Sequence, residues 1–341
     1  MSGAYNLALV ILFKTQQEMR NKELHLLSLS AALTLLMTVF GCGSGGSAAS
    51  SPTPQPLSPA PTLRRGMSAN HVFLIVFENE GYRSVIGSPS LPYLNSLANQ
   101  YGLATNYFAN QHSSLGDYFV LTTGLAPHLN AIGDFEGTVN DDNVVRELVS
   151  QNKSWKVYAE SLPAVGYTGP TMYPYKKQHN PFAYLSDVVN EPSQANNLVP
   201  FSQFAGDLLN DHLPNYAYIV PNLQDDMHDC PLGKGESCPV ADKQSTADSW
   251  LRTNIDPLIN SSGFQRDGLL IITFDEAELT DVTNGGGQVA TIIVGSNVKP
   301  GYKSTTFYQH EATLRLTLEA LGISSFPGKA ATAPSMSEFF Q

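Results

Sequence analysis

Two groups of side chains in this 341-residue chain have the types and placement for chemistry. The first closes three apolar runs that lie far apart in sequence. "HVFLIVFEN" ends in Glu78-Asn79, "YAYIVPN" runs into "NLQDDMHDC", and "GLLIITFDE" ends in Asp275-Glu276. One acidic strand end says little, because Asp or Asn after a strand often caps the next helix. Three such ends in one sheet imply a shared cluster, and four or five oxygen ligands at strand tips suit a divalent cation. The second group is the stretch "NQHSSLGDYFVLTTG", which sets His112, Ser113, Ser114 and Asp117 close together. Ser, Gly and Asp are also what a turn and a helix N-terminus use, so this run alone leaves open whether a serine does chemistry.

The elements that must position these residues alternate in type. The run from His71 is near-continuous, β-branched and aromatic, as a buried parallel strand requires. An amphipathic helix follows at "LPYLNSLANQYG", with Gly102 as its stop. Further helices are predicted at "VVRELVSQ", "FAGDLLNDHLPN", "STADSWLRTNIDPLIN" (N-capped) and "HEATLRLTLEALG". Strands are predicted at "SWKVYAES", "YAYIVPN", "GLLIITFDE" and "GGQVATIIVGS". This alternation implies an α/β fold with a mostly parallel sheet covered on both faces, and a site at the carboxyl ends of its strands. The Pro-, Tyr- and Asn-rich segment from about 160 to 200 is expected to be a long insertion near that site.

A formal charge of −11 argues against non-specific nucleic-acid binding, so no nucleic-acid partner is expected. From Met19, a short basic region, an apolar run and Gly41-Cys42 read as an export signal. The Cys after a small residue resembles the lipobox of bacterial lipoproteins, in which the signal is cut before the Cys and the Cys is lipidated. Gly43 resembles lipoproteins sent to the outer membrane. The expectation is an exported cell-envelope protein, periplasmic or outer-membrane anchored through Cys42. Residues 1–42 would then be a mis-called start plus signal, 43–68 a Ser/Pro-rich tether, and 69–341 the folded domain. Cys230 and Cys238 close a short polar loop without other soft ligands, which in an oxidising compartment predicts a disulfide.

The segment from His71 to Gly124 resembles the phosphoesterase family that holds bacterial and fungal acid phosphatases and phospholipases C, within the alkaline phosphatase superfamily. The resemblance rests on an apolar strand followed by Glu78-Asn79, on "PYLNSLA", on a nucleophile motif at "HSSLGDY", and on later motifs at "NLQDDMHDC", "ITFDEAE" and the His of "YQHEATLRLTLEALG". All stand in the family's order and cover roughly residues 69 to 323. The resemblance implies an alkaline-phosphatase-like three-layer sandwich. It implies Ser114 as nucleophile, with Ser113 a spacer in the family's Pro position. It implies a divalent cation (Ca, Mg, Mn or Zn) held by Glu78, Asn79, Ser114, Asp275 and Glu276, which would stabilise the serine alkoxide and polarise the phosphoryl oxygens. His112, His228 and His310 become candidates for leaving-group protonation and charge stabilisation. Asp225 and Asp226 are second-metal ligands or loop caps, with the cap favoured for Asp225. His71, His128, His179 and His212 receive no role.

The implied function is metal-dependent hydrolysis of phosphate esters, preferring monoesters, through a phosphoseryl intermediate. A phospholipase C-type phosphodiesterase and a non-catalytic ligand-binding surface lipoprotein are the alternatives. One departure from the family bears on the choice. Asp117 stands where Asn is usual, and an ionised carboxylate repels phosphate where an amide would donate to it. Either Asp117 is protonated or turned to another partner, or the substrate differs.

Overall fold

The computed structural model describes residues 66–341 apart from 131–132. The expected export signal, Cys42 and the expected tether up to residue 65 lie outside them. Eight strands form one sheet: β1 (His71–Phe77), β2 (Gly102–Ala104), β3 (Trp155–Ala159), β4 (Leu198–Pro200), β5 (Tyr216–Val220), β6 (Gly268–Phe274), β7 (Thr291–Gly295) and β8 (Lys303–Ser304). Their order is β4-β3-β5-β1-β6-β7-β2-β8. The pairs from β4 across to β6 are parallel, and β7 runs antiparallel to both β6 and β2. The longer helices are α1 (Pro92–Gln100), α2 (Ser114–Thr123), α3 (Val144–Ser150), α4 (Val240–Ile259) and α5 (His310–Ala320).

Every residue of β5, β6 and β7 is buried, and so is all of β1 after His71. Successive strand residues point to opposite faces, so the sheet is covered on both sides. α1 packs against α4, while α2 and α3 pack against α5. Aromatic contacts tie helix to sheet: Phe77 of β1 meets Trp250 of α4 and Phe274 of β6. These are side chains whose truncation costs about 3–5 kcal/mol each. No helix among the described residues is long and apolar enough to cross a membrane.

One local expectation needs correction. α4 starts at Val240, with Pro239 at its N-cap, so Ser245 lies inside the helix rather than capping it. Pro supplies a fixed φ suited to a helix entrance. β7 is the antiparallel member of the expected mostly parallel sheet. The 160–200 insertion carries short 3-10 and α turns and the edge strand β4, elements too short to leave a periodic signal. The expected disulfide between Cys230 and Cys238 is formed.

Candidate active site

Strand register assembles the site. β1 and β6 are parallel with Phe77 opposite Phe274, so Glu78 and Asp275 leave the sheet side by side. The Asp275 N–H donates to Phe77 O (2.9 Å), and the Asn79 N–H donates to Asp275 Oδ1 (2.9 Å). Asn79 turns the chain with φ of 57°, a left-handed conformation Asn tolerates. On the other side of β1, the loop after β5 returns along the strand ends, and Glu78 N–H donates to Asp226 O (2.9 Å).

α2 delivers the serine. Ser113 is its N-cap residue but makes no side-chain capping bond. Ser114, the first helical residue, instead donates from Oγ to Glu78 Oε2 (3.0 Å). Tyr118, one turn later on the same face, donates from its hydroxyl to Glu78 Oε1 (2.5 Å). The helix is buried along nearly its whole length, and the Thr122 and Thr123 hydroxyls donate back to helix carbonyls. It ends at Gly124 with φ of 68°, where a Cβ would stand 2.4 Å from Pro327 O.

Glu78 has no solvent exposure. Burial, then the charges of Asp275 and Asp226, pushes its pKa well above the usual carboxylate range. His179 Nε2 lies 3.3 Å from Glu78 Oε1, and His179 Nδ1 lies 2.9 Å from Asp226 Oδ2. Burial, then His228, lowers the His179 pKa to about 3, so the ring is neutral. With Nδ1–H given to Asp226, the Nε2 lone pair faces Glu78.

A cavity of about 330 Å³ opens above these groups, lined among others by Asn79, His112, Ser114, Lys176, His228 and Glu276. His112 Nε2–H donates to Asp281 O (2.8 Å). Its Nδ1 contacts Glu276 Oε2 at 2.8 Å, so one proton is shared between ring and carboxyl. Burial, then Asp275, pushes the Glu276 pKa up to about 8. His228 is held through Nδ1 by Asp229 Oδ1 (2.7 Å), while its N–H donates to Asp226 Oδ1 (2.8 Å). Asp226 is buried and ties both histidines down. Burial, then Glu160, pushes Asp225 up to about 7, and its N–H donates to Asn222 O in the loop turn.

His310 is not brought to the cavity, which corrects its expected part in leaving-group protonation. It is fully buried, with Nε2–H donating to Asp275 O (2.7 Å) and Nδ1 accepting from the Tyr107 hydroxyl (3.1 Å). Burial lowers its pKa to about 4, and both nitrogens are committed. It positions the Asp275 main chain. Asp117 is also fully buried and does not line the cavity. Its Oδ1 accepts the Asn110 N–H (3.0 Å), and burial, then Asp275, raises its pKa well above the usual range. Asp117 is thus turned to a main-chain partner, one of the alternatives expected for it.

The donor set fits a divalent cation. Glu78, His179 and His228 each offer one ligand atom, all within 4.8 Å of one another. The expected oxygen ligands adjoin them through Glu78, which contacts both Ser114 and the Asn79 amide (3.0 Å). Buried Asp275 Oδ2 has no hydrogen-bond partner among the described residues, an acceptor that a cation would satisfy.

Sequence reasoning missed His179, Tyr118 and Lys176. His179 and Lys176 lie in the insertion expected near the site, where no local motif distinguishes one residue from the next. Tyr118 was legible in principle, since its spacing of four from Ser114 puts both on one helix face.

Residues 87–323 match the phosphoesterase family. A probable acid phosphatase of Kluyveromyces lactis is 30% identical over 259 residues, 73% of this chain and 57% of that protein. A phosphatidylinositol-3-phosphatase of Mycobacterium tuberculosis is 30% identical over 275 residues, 79% of this chain and 82% of that protein. The chain thus spans under two thirds of the fungal relative and most of the mycobacterial one. Among solved structures, an alkaline phosphatase superfamily protein of Vibrio parahaemolyticus superposes with a TM-score of 0.54 at 14% identity, over 81% of this chain and 73% of that one. The lipoteichoic acid synthase of Listeria monocytogenes gives 0.52 at 11% identity, over 75% of this chain and 73% of its own. At such identity the likeness bears on the fold, which is that of the alkaline phosphatase superfamily. Sequence match and architecture agree, and the chain belongs to the phosphoesterase family.

Proposed function

We propose that this protein hydrolyses phosphate esters, monoesters above all, with Ser114 as nucleophile. The observation that carries the reading is the Ser114 hydroxyl, 3.0 Å from Glu78 Oε2 at the N-terminus of a ten-residue helix and on the wall of the cavity. The phosphatases among its relatives support the same class of reaction. Helix N-terminal N–H groups attract phosphate oxygens. Ser114 Oγ would pass its proton to Glu78 Oε2, which accepts its hydrogen bond, and attack phosphorus while the P–O bond to the leaving group breaks, and the leaving oxygen would take a proton. His112, which lines the cavity beside Ser114 and is not among the cation's ligands, is the group at hand to supply it. Water would then attack the phosphoserine, releasing phosphate and restoring the hydroxyl.

Glu78, Asn79, Ser114, Asp275, Glu276, His179 and His228 would hold the cation. When bound, it supplies Lewis-acid stabilisation of the serine alkoxide and of phosphoryl charge. The test is hydrolysis of a chromogenic phosphomonoester and a phosphodiester by the full chain, with and without chelator, beside Ser114→Ala. Activity lost to both supports the reading. Activity that survives Ser114→Ala refutes it, and faster diester cleavage reverses the monoester preference.

Export and lipid anchoring at Cys42 are also proposed, supported by the Cys230–Cys238 disulfide, which suits an oxidising compartment. Labelled palmitate should enter the wild-type chain and not Cys42→Ser.

A further inference from the structure

The catalytic cavity is lined beyond Ser114 by Lys176 and Gln178, and the same two side chains line a second cavity of about 540 Å³. That second space extends along Asp134, Thr171, Lys177 and Tyr184. The two cavities are therefore neighbours, between the serine and the 160–200 insertion, with Lys176 and Gln178 on the wall of both.

The charge of the second cavity is the opposite of the molecule's. The chain carries a formal charge of −11, and the floor beneath Ser114 is acidic. The second cavity offers two lysines against one carboxylate. That carboxylate is already engaged: Asp134 Oδ1 accepts from the Tyr184 hydroxyl (2.8 Å) and the Phe135 N–H (2.8 Å), and Oδ2 accepts from Gln178 Nε2 (3.0 Å). Lys177 Nζ rests over the Tyr184 ring, 4.2 Å from its centroid. This contact and partial burial hold the ammonium in the cavity. Lys176 has no ion pair or side-chain hydrogen bond among the described residues. A neutral leaving group would have no use for these cations. An anionic one would bind them by charge-assisted hydrogen bonds.

We propose that the neighbouring cavities accept a phosphate ester whose leaving group carries a second phosphate, held by Lys176 and Lys177 while the first phosphate lies at Ser114. The proposal rests on the reading of Ser114 given above. It assigns substrate selection to the insertion rather than to the strand ends.

Binding tests it apart from turnover. Calorimetry on the full chain would compare linear alkane bisphosphonates of three to six carbons with alkylphosphonates of equal length, for wild type, Lys176→Gln and Lys177→Gln. One or more bisphosphonates should bind wild type about tenfold tighter than the matched monophosphonate, the strength of one added charged contact. Each variant should lose most of that preference, and high salt should erode it. Equal binding of both probes to wild type overturns the proposal. So does a fall for both probes in step in the variants, which would put the lysines on the phosphate at Ser114. Hydrolysis of the corresponding esters is read in parallel. Preference without turnover leaves the two-phosphate site standing and refutes the hydrolase reading, and turnover without preference does the reverse.

Discussion

Replacing Asp117 by Asn exchanges a carboxyl for an amide of the same shape at a position with no solvent exposure. The Asn110 N–H bond at 3.0 Å survives, because an amide oxygen accepts as well as a carboxyl oxygen. What changes is Oδ2, which is buried with no partner among the described residues. In the unfolded chain the carboxyl ionises near its ordinary pKa of about 3.9. In the folded protein, burial and then Asp275 raise that pKa. Between the two values the folded state binds more protons than the unfolded one. Stability therefore falls as pH rises from about 4 to the folded pKa, and the loss persists above it. Asn does not titrate and escapes that loss. An uncompensated buried polar group costs about 1–3 kcal/mol, and each kcal/mol moves Tm by about 2–4 °C in a domain approaching this size. Asp117→Asn should thus raise Tm by about 2–12 °C at pH near 8 and hardly at all near 4. The assay is thermal melting of both proteins by circular dichroism, with chelator present, at several pH values. An equal or lower Tm for the variant at the higher pH, or the same gain at both, would refute the argument.

Asp226→Asn should weaken metal binding about 10–100-fold, because Asp226 orients His179 through Nδ1 and ties down the His228 main chain. Titration of the activating cation against turnover measures it, and an unchanged midpoint would remove Asp226 from that role. Metal added to metal-free protein near neutral pH should release protons, since burial holds Glu78, Asp226 and Glu276 toward their protonated forms. Calorimetry in buffers of differing ionisation heat counts them, and affinity should rise with pH toward about 8, where Glu276 titrates. A count of zero would contradict the assigned ligands. Opening the Cys230–Cys238 link by Cys→Ser at both positions should lower stability by about 2–3 kcal/mol, the loop-closure value for a separation of 8 residues. Denaturant melts read that change, and midpoints within error of wild type would show that the loop opens independently of the fold.

Much of the site was legible because strand ends carry a strong local signal. Apolar runs such as "HVFLIVFEN" and "GLLIITFDE" must be buried in a covered sheet, and the polar pair that ends each one must leave it at the same edge. That reasoning brought Glu78, Asn79, Asp275 and Glu276 together, and the ordered motifs added Ser114. The serine stretch alone could not decide its own role. A helix N-cap and a nucleophile use the same residue types, and the structure adds that Ser114 Oγ lies 3.0 Å from Glu78 Oε2.

His310 shows the opposite case. Its motif suggested chemistry, yet packing buried it behind Asp275 with both nitrogens committed. His179 had no motif, yet the insertion folds back and sets it between Glu78 and Asp226. From sequence alone came the alternation of strands and helices, the acids at strand tips, the bonded cysteines and the family, because each depends on local order or short spacing. Which histidine faces the cavity, what Asp117 touches, and that two lysines of the insertion line a neighbouring cavity were decided only by tertiary structure. Those facts depend on contacts between segments tens to hundreds of residues apart, whose geometry no local pattern records.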